Sequence, residues 1–269
     1  MDGLMRHLRA VRNVALPGDY TPFLLGLDAV GWITPSAVLL LAQHGCRRVA
    51  GGVVLPEPAA LPGLARALAD AGAFTWRSEA FDVRALPDGP VLATVDRGAL
   101  PWFGIAAEGV HVNGLVRTAS GLHLWVARRS AGRLMDPGKL DHLFAGGIPA
   151  GLDAQATLFK EGAEEAGLPA ELVAGARSTG IVVYTMVRAE GLRRDRLHCY
   201  DLELAADIQP TPTDGEVAGF ELWPMPRVIQ TVRETDDFKF NVNLVLIDLF
   251  LRLELLPATE AAALKAASC

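Results

Sequence analysis

Three glutamates lie close together in the segment KEGAEEAGL, at Glu161, Glu164 and Glu165. In an α-helix, residues three and four apart share a face, so these carboxylates would converge. Like charges at this spacing repel by a few tenths of a kcal/mol per pair unless water or a cation lies between them. Hard cations such as Mg²⁺ prefer carboxylate oxygens, usually with phosphate oxygens completing the shell. The segment therefore indicates either a solvated acidic helix face or a divalent-cation site.

The residues around the glutamates predict a helix over 154–166. Asp153 is a favourable N-cap residue, and Gly167 is a favourable residue to end the helix. The preceding segment, 130–151, is too rich in Gly and Pro for a regular element, so we expect a long ordered loop. Its backbone N–H groups and the helix N-terminus would favour an anion.

The composition excludes several classes of protein. Of the 269 residues, 51% are hydrophobic and 21% are charged, which favours a well-buried core over disorder. The net charge of −6 argues against binding of nucleic acid or of a membrane surface. The three cysteines form no CxxC pair, which is typical of a reducing compartment without a zinc ribbon. With no secretory or membrane-spanning pattern, we expect a cytoplasmic protein.

Patterning divides the chain into two parts. Pro and Gly residues break the first part into short helices and strands, whereas the second part alternates longer strands and helices. We therefore predict a smaller α+β accessory domain over 1–107. The domain over 108–269 is predicted to be an α/β structure, with a mixed sheet covered by helices.

From residue 146 to residue 168, the sequence resembles the Nudix box, G-x5-E-x7-R-E-U-x-E-E-x-G-U, in which U is a bulky aliphatic residue. The matching residues are Gly146, Glu161, Glu164, Glu165, Gly167 and Leu168. The resemblance implies a Nudix α/β/α sandwich with Mg²⁺ or Mn²⁺ bound by Glu161, Glu164 and Glu165. It also implies hydrolysis of a diphosphate linkage by an activated water.

Three positions depart from the box. The glutamate expected six residues after the opening glycine is Leu152, with Asp153 one place late. The arginine is Lys160, which keeps the charge but loses the two-pronged guanidinium. The bulky aliphatic residue is Gly162, which costs up to about 1 kcal/mol of helix propensity. Leu152 is the departure that most directly questions full activity.

A wider resemblance covers roughly residues 20 to 255, through segments such as VGWITP, WRSEAFDV, YDLEL and FKFN. These look like the two-domain Nudix proteins related to thiamine pyrophosphokinase. In that subfamily, Lys at the arginine position and a small residue at the Gly162 position look habitual. The resemblance implies hydrolysis of thiamine diphosphate, or of its oxidised or damaged analogues, to the monophosphate.

The resemblance also implies roles for individual residues. Glu161 and Glu164 are expected to act in catalysis as well as in metal binding, and Lys160 is expected to orient a carboxylate. Glu216, in the turn TPTDGEV with Asp214, is the favoured extra ligand or general base. An ordinary solvated turn is the alternative for that segment.

The substrate would be a small-molecule diphosphate. The amides of Gly146 and Gly147 are expected to hold its phosphates, Tyr184 is a candidate for ring stacking, and Lys239 for contact with a phosphate or ring. Core packing is the alternative for Tyr184, and a surface position is the alternative for Lys239.

Two other functions stay open at this point. One is a Nudix pyrophosphatase acting on a nucleotide such as ADP-ribose or NADH, and the other is a non-catalytic ligand-sensing Nudix domain. Isopentenyl diphosphate isomerase is disfavoured, because no cysteine lies between Cys46 and Cys199. The sequence does not decide whether the first part closes over the substrate or forms a homodimer.

Overall fold

The computed structural model describes residues 3–132 and 134–268, and within them the chain forms nine α-helices and thirteen strands. The helices are Met5–Ala10 (α1), Pro35–Ala42 (α2), Leu61–Asp70 (α3), Leu100–Phe103 (α4), Ala154–Ala166 (α5), Ala170–Val173 (α6), Met225–Glu234 (α7), Phe240–Arg252 (α8) and Ala258–Ser268 (α9). The first six strands are Thr21–Leu25 (β1), Asp28–Ile33 (β2), Arg47–Val49 (β3), Gly52–Leu55 (β4), Ala80–Val83 (β5) and Ala93–Asp96 (β6). The others are Ala106–Thr118 (β7), Gly121–Arg129 (β8), Leu140–Asp141 (β9), Phe144–Gly147 (β10), Arg177–Arg188 (β11), Gly191–Glu203 (β12) and Val217–Pro224 (β13).

A seven-stranded mixed sheet organises the larger part of the chain. Its main order is β11-β12-β7-β8-β13, with β10 pairing with β7 and β9 pairing with β8. The β12–β7 pair is parallel, while the β11–β12, β7–β8 and β8–β13 pairs are antiparallel. Because β9 and β10 pair with different strands, the short segment between them connects two parts of the sheet.

Helices cover both faces of this sheet. On one face, α5 and α6 pack over a core that includes Leu158, Val173, Val112 and Phe144. On the other face, α1, α7, α8 and α9 pack over a separate, larger core. The predicted mixed sheet with helices on both faces is confirmed.

Residues 21–105, which we call the N-terminal unit, have a core of their own. They form a four-stranded sheet of order β2-β1-β4-β3 and the two-stranded sheet β5–β6. The preceding helix α1 packs instead against α8 and α9, because Leu4 and Leu8 belong to the larger core. The structure therefore groups the first residues with the larger part, although the sequence assigned them to an accessory domain over 1–107.

The glutamate helix has the predicted bounds, and its ends explain why. The Asp153 Oδ1 atom accepts a hydrogen bond from the Ala156 N–H at 2.7 Å, which caps the N-terminus. At the other end, Gly167 adopts a left-handed conformation with φ of +62°. The Gly167 N–H donates to the Ala163 carbonyl at 3.2 Å, which is the hydrogen bond of an αL ending, and the Leu168 N–H donates to the Gly162 carbonyl at 3.0 Å.

The segment expected to be one long loop contains two strands, so that expectation was wrong. Strand β9 pairs with β8, and β10 pairs with β7 in a register that places Gly146 opposite Val110 and Gly147 opposite Gly109. Glycine lowers strand propensity, but here it allows close approach of neighbouring groups. The chain around β10 is therefore regular backbone beside the glutamate helix.

Two further findings concern the cysteines and membrane crossing. Cys46 and Cys199 are buried free thiols, while Cys269 lies outside the described residues. Within the described ranges, no helix has both the length and the apolarity needed to cross a bilayer.

Gly162 departs from the box because its place is already filled. A Cβ atom there would lie 2.7 Å from Val173 Cγ2 and 3.2 Å from Phe144 Cζ. Val173 belongs to the short helix α6. Its side chain packs directly against the backbone of α5 at Gly162 and occupies the space that a side chain at residue 162 would need.

We predict that Gly162→Leu destabilises the protein by about 1–3 kcal/mol, because overpacking opposes the gain in helix propensity. The free energy of unfolding in urea measures the effect. The double variant Gly162→Leu/Val173→Ala should recover part of the loss relative to the sum of the single variants. If the losses of unfolding free energy in the two single variants simply add in the double variant, contact with Val173 is not the cause of the destabilisation.

Candidate active site

Glu165 is the most buried carboxylate of the glutamate helix, with 6% of the residue exposed. Its Oε2 atom accepts a hydrogen bond of 2.9 Å from the Ala145 N–H of β10. Burial raises the pKa of Glu165, the hydrogen bond from Ala145 opposes the rise, and the nearby carboxylates of Asp141, Glu161 and Glu216 add to it, so that the pKa lies at about 8. This excess of buried negative charge favours either a proton or a cation at Glu165.

Glu161 lies against the glycine that opens the box. A Cβ atom at Gly146 would lie 2.2 Å from the Glu161 carboxyl carbon, so only glycine leaves room for this side chain. Burial raises the pKa of Glu161, and Glu164 and Glu216 add to the rise while Lys160 opposes it. The structure thus gives Gly146 a steric role beside the acidic helix, in addition to its predicted contact with phosphate.

The turn before β13 brings two more carboxylates to the site. One carboxylate oxygen each of Glu165, Asp214 and Glu216 lie within 4.8 Å of one another, and we call these three groups the acidic cluster. The turn is held to the helix because the Thr211 N–H donates to the Ala166 carbonyl at 2.9 Å, and the Thr213 hydroxyl donates to the Glu164 carbonyl. The turn therefore has a fixed place next to α5.

Lys160 binds the two other glutamates of the helix. Its Nζ atom donates to Glu161 Oε1 at 3.0 Å and to Glu164 Oε2 at 2.7 Å. These hydrogen bonds raise the pKa of Lys160 and outweigh the opposite effect of burial. Glu164 is the most exposed of the three glutamates, with 53% of its side chain exposed, and it lies outside the acidic cluster.

The donor set fits a hard divalent cation. Glu165, Asp214 and Glu216 form the acidic cluster, and Glu161 and Glu164 on the same helix as Glu165 both bind the ammonium group of Lys160. Burial prevents water from screening the charges on Glu165 and Glu161, so a bound cation would relieve their repulsion. Oxygen-only ligands suit Mg²⁺ or Mn²⁺ better than softer metals.

Leu152 does not replace the missing glutamate, and neither does its neighbour. Leu152 is 37% exposed, in the loop that precedes α5. The Asp153 carboxylate is used as the helix cap, so it points to the backbone of α5. The acidic cluster instead takes Asp214 and Glu216 from a distant turn.

Two predicted substrate contacts, Tyr184 and Lys239, have little exposed surface. Tyr184 is 3% exposed, its ring packs edge-on against Phe240 at 5.7 Å, and its hydroxyl donates to Asp195. A ring so enclosed has no open face, so stacking on Tyr184 is not supported. Lys239 is not a surface lysine: its side chain is 14% exposed, and its Nζ lies 3.9 Å from Asp141 Oδ2.

Sequence reasoning missed Asp141. It is 7% exposed and accepts a hydrogen bond of 2.7 Å from Arg129 Nη1. Although burial acts to raise the pKa of Asp141, Lys239 and Arg129 hold it well below its usual range. Asp141 is close enough to raise the pKa of Glu165, so it links Lys239 to the acidic cluster. A single aspartate in a Gly-rich segment has no spacing signal that could have identified it.

The raised pKa of Glu165 predicts a pH effect on stability without metal. The group favours folding below its ordinary pKa of 4.5, and this contribution is lost as the pH rises towards about 8. In EDTA, Glu165→Gln should therefore be more stable than the wild type at pH 8 by about 2 kcal/mol. Excess Mg²⁺ should stabilise the wild type but not this variant.

Urea unfolding at pH 5 and pH 8, with EDTA or Mg²⁺, measures these differences. Glu171→Gln makes the same change at an exposed position of α6 and should leave both the pH slope and the Mg²⁺ effect unchanged. Equal pH slopes for the wild type and Glu165→Gln would contradict the prediction.

Comparison with known proteins gives the family. The chain is 34% identical over 258 residues to Nudix hydrolase 24, chloroplastic, of Arabidopsis thaliana, covering 91% of this chain and 70% of that protein. It is 36% identical over 223 residues to Nudix hydrolase 20, chloroplastic, of the same plant, covering 82% and 56% respectively. Since both relatives are named as chloroplastic, the expected cytoplasmic location stays a prediction.

Structural comparison finds lower similarity. A crystal structure from Deinococcus radiodurans aligns with a TM-score of 0.46 and 19% identity, over 62% of this chain and 97% of that one. No protein-family model matches the sequence. The similarity to the two plant relatives shows that the chain belongs to the Nudix hydrolase family, whose enzymes act on phosphoric anhydrides.

Proposed function

We propose that the protein is a Mg²⁺-dependent hydrolase of a small-molecule diphosphate. The observation that supports this most directly is the acidic cluster of Glu165, Asp214 and Glu216, next to Glu161 on the same helix. A protein that only binds a ligand has no need for a cluster of three carboxylates, one of them buried. The same observation therefore disfavours the ligand-sensing alternative.

Glu165 and Glu161 would hold the cation, with Asp214 or Glu216 completing the protein ligands. When bound, the cation would neutralise phosphate oxygens and lower the pKa of the attacking water. Lys160 keeps the Glu161 and Glu164 carboxylates oriented through its two hydrogen bonds. Gly146 lets the Glu161 side chain lie directly against β10, which fixes the position of this carboxylate.

In the proposed reaction, a carboxylate oxygen of Glu216 accepts a proton from the attacking water. The water oxygen forms a bond to one phosphorus atom, and the bond from that phosphorus to the bridging oxygen breaks. The bridging oxygen leaves with the second phosphate group. No covalent enzyme intermediate is needed, since the site has carboxylates to receive the proton.

For the organic group, we propose thiamine diphosphate or one of its oxidised or damaged analogues. The support is the wider sequence resemblance, which includes the N-terminal unit and the FKFN segment that contains Lys239. The products would be the monophosphate and inorganic phosphate. ADP-ribose and NADH are the competing substrates, and direct assay separates them.

We predict that Glu165→Gln and Glu164→Gln each lower turnover by at least about 100-fold, while the protein stays folded. Each change removes a negative charge at a glutamate position of the box. Phosphate or nucleotide release in Mg²⁺ is measured on thiamine diphosphate, its oxo and oxy analogues, ADP-ribose and NADH. EDTA should abolish all activity, and Glu171→Gln should match the wild type.

Full activity of Glu165→Gln would refute the metal-dependent mechanism. Tight ligand binding with no turnover of any of these compounds would favour the sensor instead.

A further inference from the structure

A cavity of about 480 Å³ lies where strands β8, β9 and β13 meet helix α7. Its walls include Arg128 of β8, Lys139 just before β9, Trp223 of β13 and Arg227 of α7. The volume falls within the range of small-molecule sites in proteins, about 300–1,000 Å³. Because three of these four side chains are cations, we call this space the basic cavity.

The basic cavity and the glutamate helix lie on opposite faces of the sheet. Trp125 of β8 packs in the core under α5, whereas its neighbour Val126 belongs to the larger core under α7 and α8. Successive residues of a strand point to opposite faces. Arg128 therefore shares the face of Val126, while Arg129, which pairs with Asp141 at 2.7 Å, shares the face of Trp125. The sheet thus separates a ligand in the basic cavity from a cation held by the glutamate helix.

Two of the three cations are bound to neutral groups. Arg128 Nη1 donates to the Gly138 carbonyl at 3.1 Å, and Lys139 Nζ donates to the Asp236 carbonyl. Within residues 3–132 and 134–268, neither cation forms an ion pair with a carboxylate. Backbone carbonyls carry no net charge, so the positive charges of Arg128 and Lys139 are uncompensated.

The third cation, Arg227, is oriented by an aromatic ring. Its guanidinium carbon lies 3.6 Å from the centre of the Trp223 ring, which is a cation–π contact. The Trp223 indole N–H donates to Glu221 Oε2 at 2.9 Å, and this oxygen lies 3.9 Å from Arg227 Nη2. The carboxylate offsets part of the Arg227 charge, but the Arg227 side chain is still 54% exposed and accessible to a ligand.

The lining of the basic cavity carries more positive than negative charge. Arg128, Lys139 and Arg227 face one carboxylate, that of Asp237, so the lining has a surplus of two positive charges. Acidic neighbours outside the lining are engaged elsewhere, namely Asp136 with Arg188, Asp236 with Arg6, and Glu221 with Trp223. In a chain with a net charge of −6, this concave surplus is a local site for an anion.

We propose that the basic cavity binds the phosphate group of a small phosphorylated molecule, at a site separate from the acidic cluster. A phosphate monoester carries about −1.5 to −2 charges near neutral pH, which matches the surplus of the lining. Arg128 and Arg227 offer planar N–H pairs that fit phosphate oxygens, and Lys139 adds a point charge. The inference does not depend on the proposed hydrolase activity.

The test uses Trp223 as a reporter. The chain has five tryptophans, so a proton–nitrogen correlation spectrum of the full protein contains five indole N–H signals, and Trp223→Phe identifies the one from the cavity. Phenyl phosphate is titrated in EDTA, which keeps divalent cations away from the acidic cluster. We expect a saturable shift of the Trp223 signal. Arg128→Ala and Lys139→Gln should each weaken binding about tenfold, because each removes a charged hydrogen-bond donor. The absence of a shift at about 10 mM phenyl phosphate would overturn the inference.

Arg117→Ala is the matched control. Arg117 lies on β7 of the same sheet, its side chain is 63% exposed, and it pairs with Glu203 at 3.1 Å, away from the cavity lining. This variant should bind phenyl phosphate as the wild type does. Equal weakening by Arg117→Ala and Arg128→Ala would indicate a general effect of protein charge and overturn the inference.

Two further ligands test which group is recognised. A shift of the Trp223 signal by phenol equal to that by phenyl phosphate would show that the cavity binds rings, which contradicts a phosphate site. Inorganic phosphate separates the two sources of the group: equally tight binding identifies the free ion, and weaker binding identifies an organic phosphate. Both results support the inference as long as binding depends on Arg128, and binding that does not depend on Arg128 overturns it.

Discussion

Repulsion among buried carboxylates is the physical constraint on which this site depends. Glu165 is held against β10 by the Ala145 N–H, with Glu161, Asp141 and Glu216 near enough to raise its pKa. Such an arrangement costs free energy in the absence of a counter-charge, so a fold that maintains it is suited to binding a cation. The helix cap, the glycine ending and the anchored turn each fix one side of this arrangement.

The two glycines of β10 allow this strand to contact two other parts of the protein. Gly146 makes room for Glu161, and Gly147 makes room for Phe81, so one short strand contacts both the glutamate helix and the N-terminal unit. An added methyl group at either position would push these elements apart. The close packing of β10 thus couples the N-terminal unit to the site in a way that a flexible tether would not.

The local parts of the site could be predicted from the sequence, whereas its long-range parts could not. The cap at Asp153 and the left-handed Gly167 are local signals, and the helix bounds followed from them. Asp141 and Phe81 have no such signal, since their places depend on strand pairing between distant segments. In the sequence, Gly162 departs from the box without an evident cause. The structure explains the glycine, because Val173 of the next helix packs against that position. Tyr184 was named for its ring chemistry, and only tertiary packing shows that its ring is enclosed.

Location of a bound cation is the most direct test of the central idea. In crystals grown with Mn²⁺, anomalous diffraction should show one or more ions contacting carboxylate oxygens of Glu165 and Glu161, with Asp214 or Glu216 alongside. Oxygen-to-metal distances should be near 2.0–2.2 Å, as expected for small divalent cations with oxygen ligands. A fully occupied manganese peak elsewhere, with these carboxylates directed to solvent, would contradict the account.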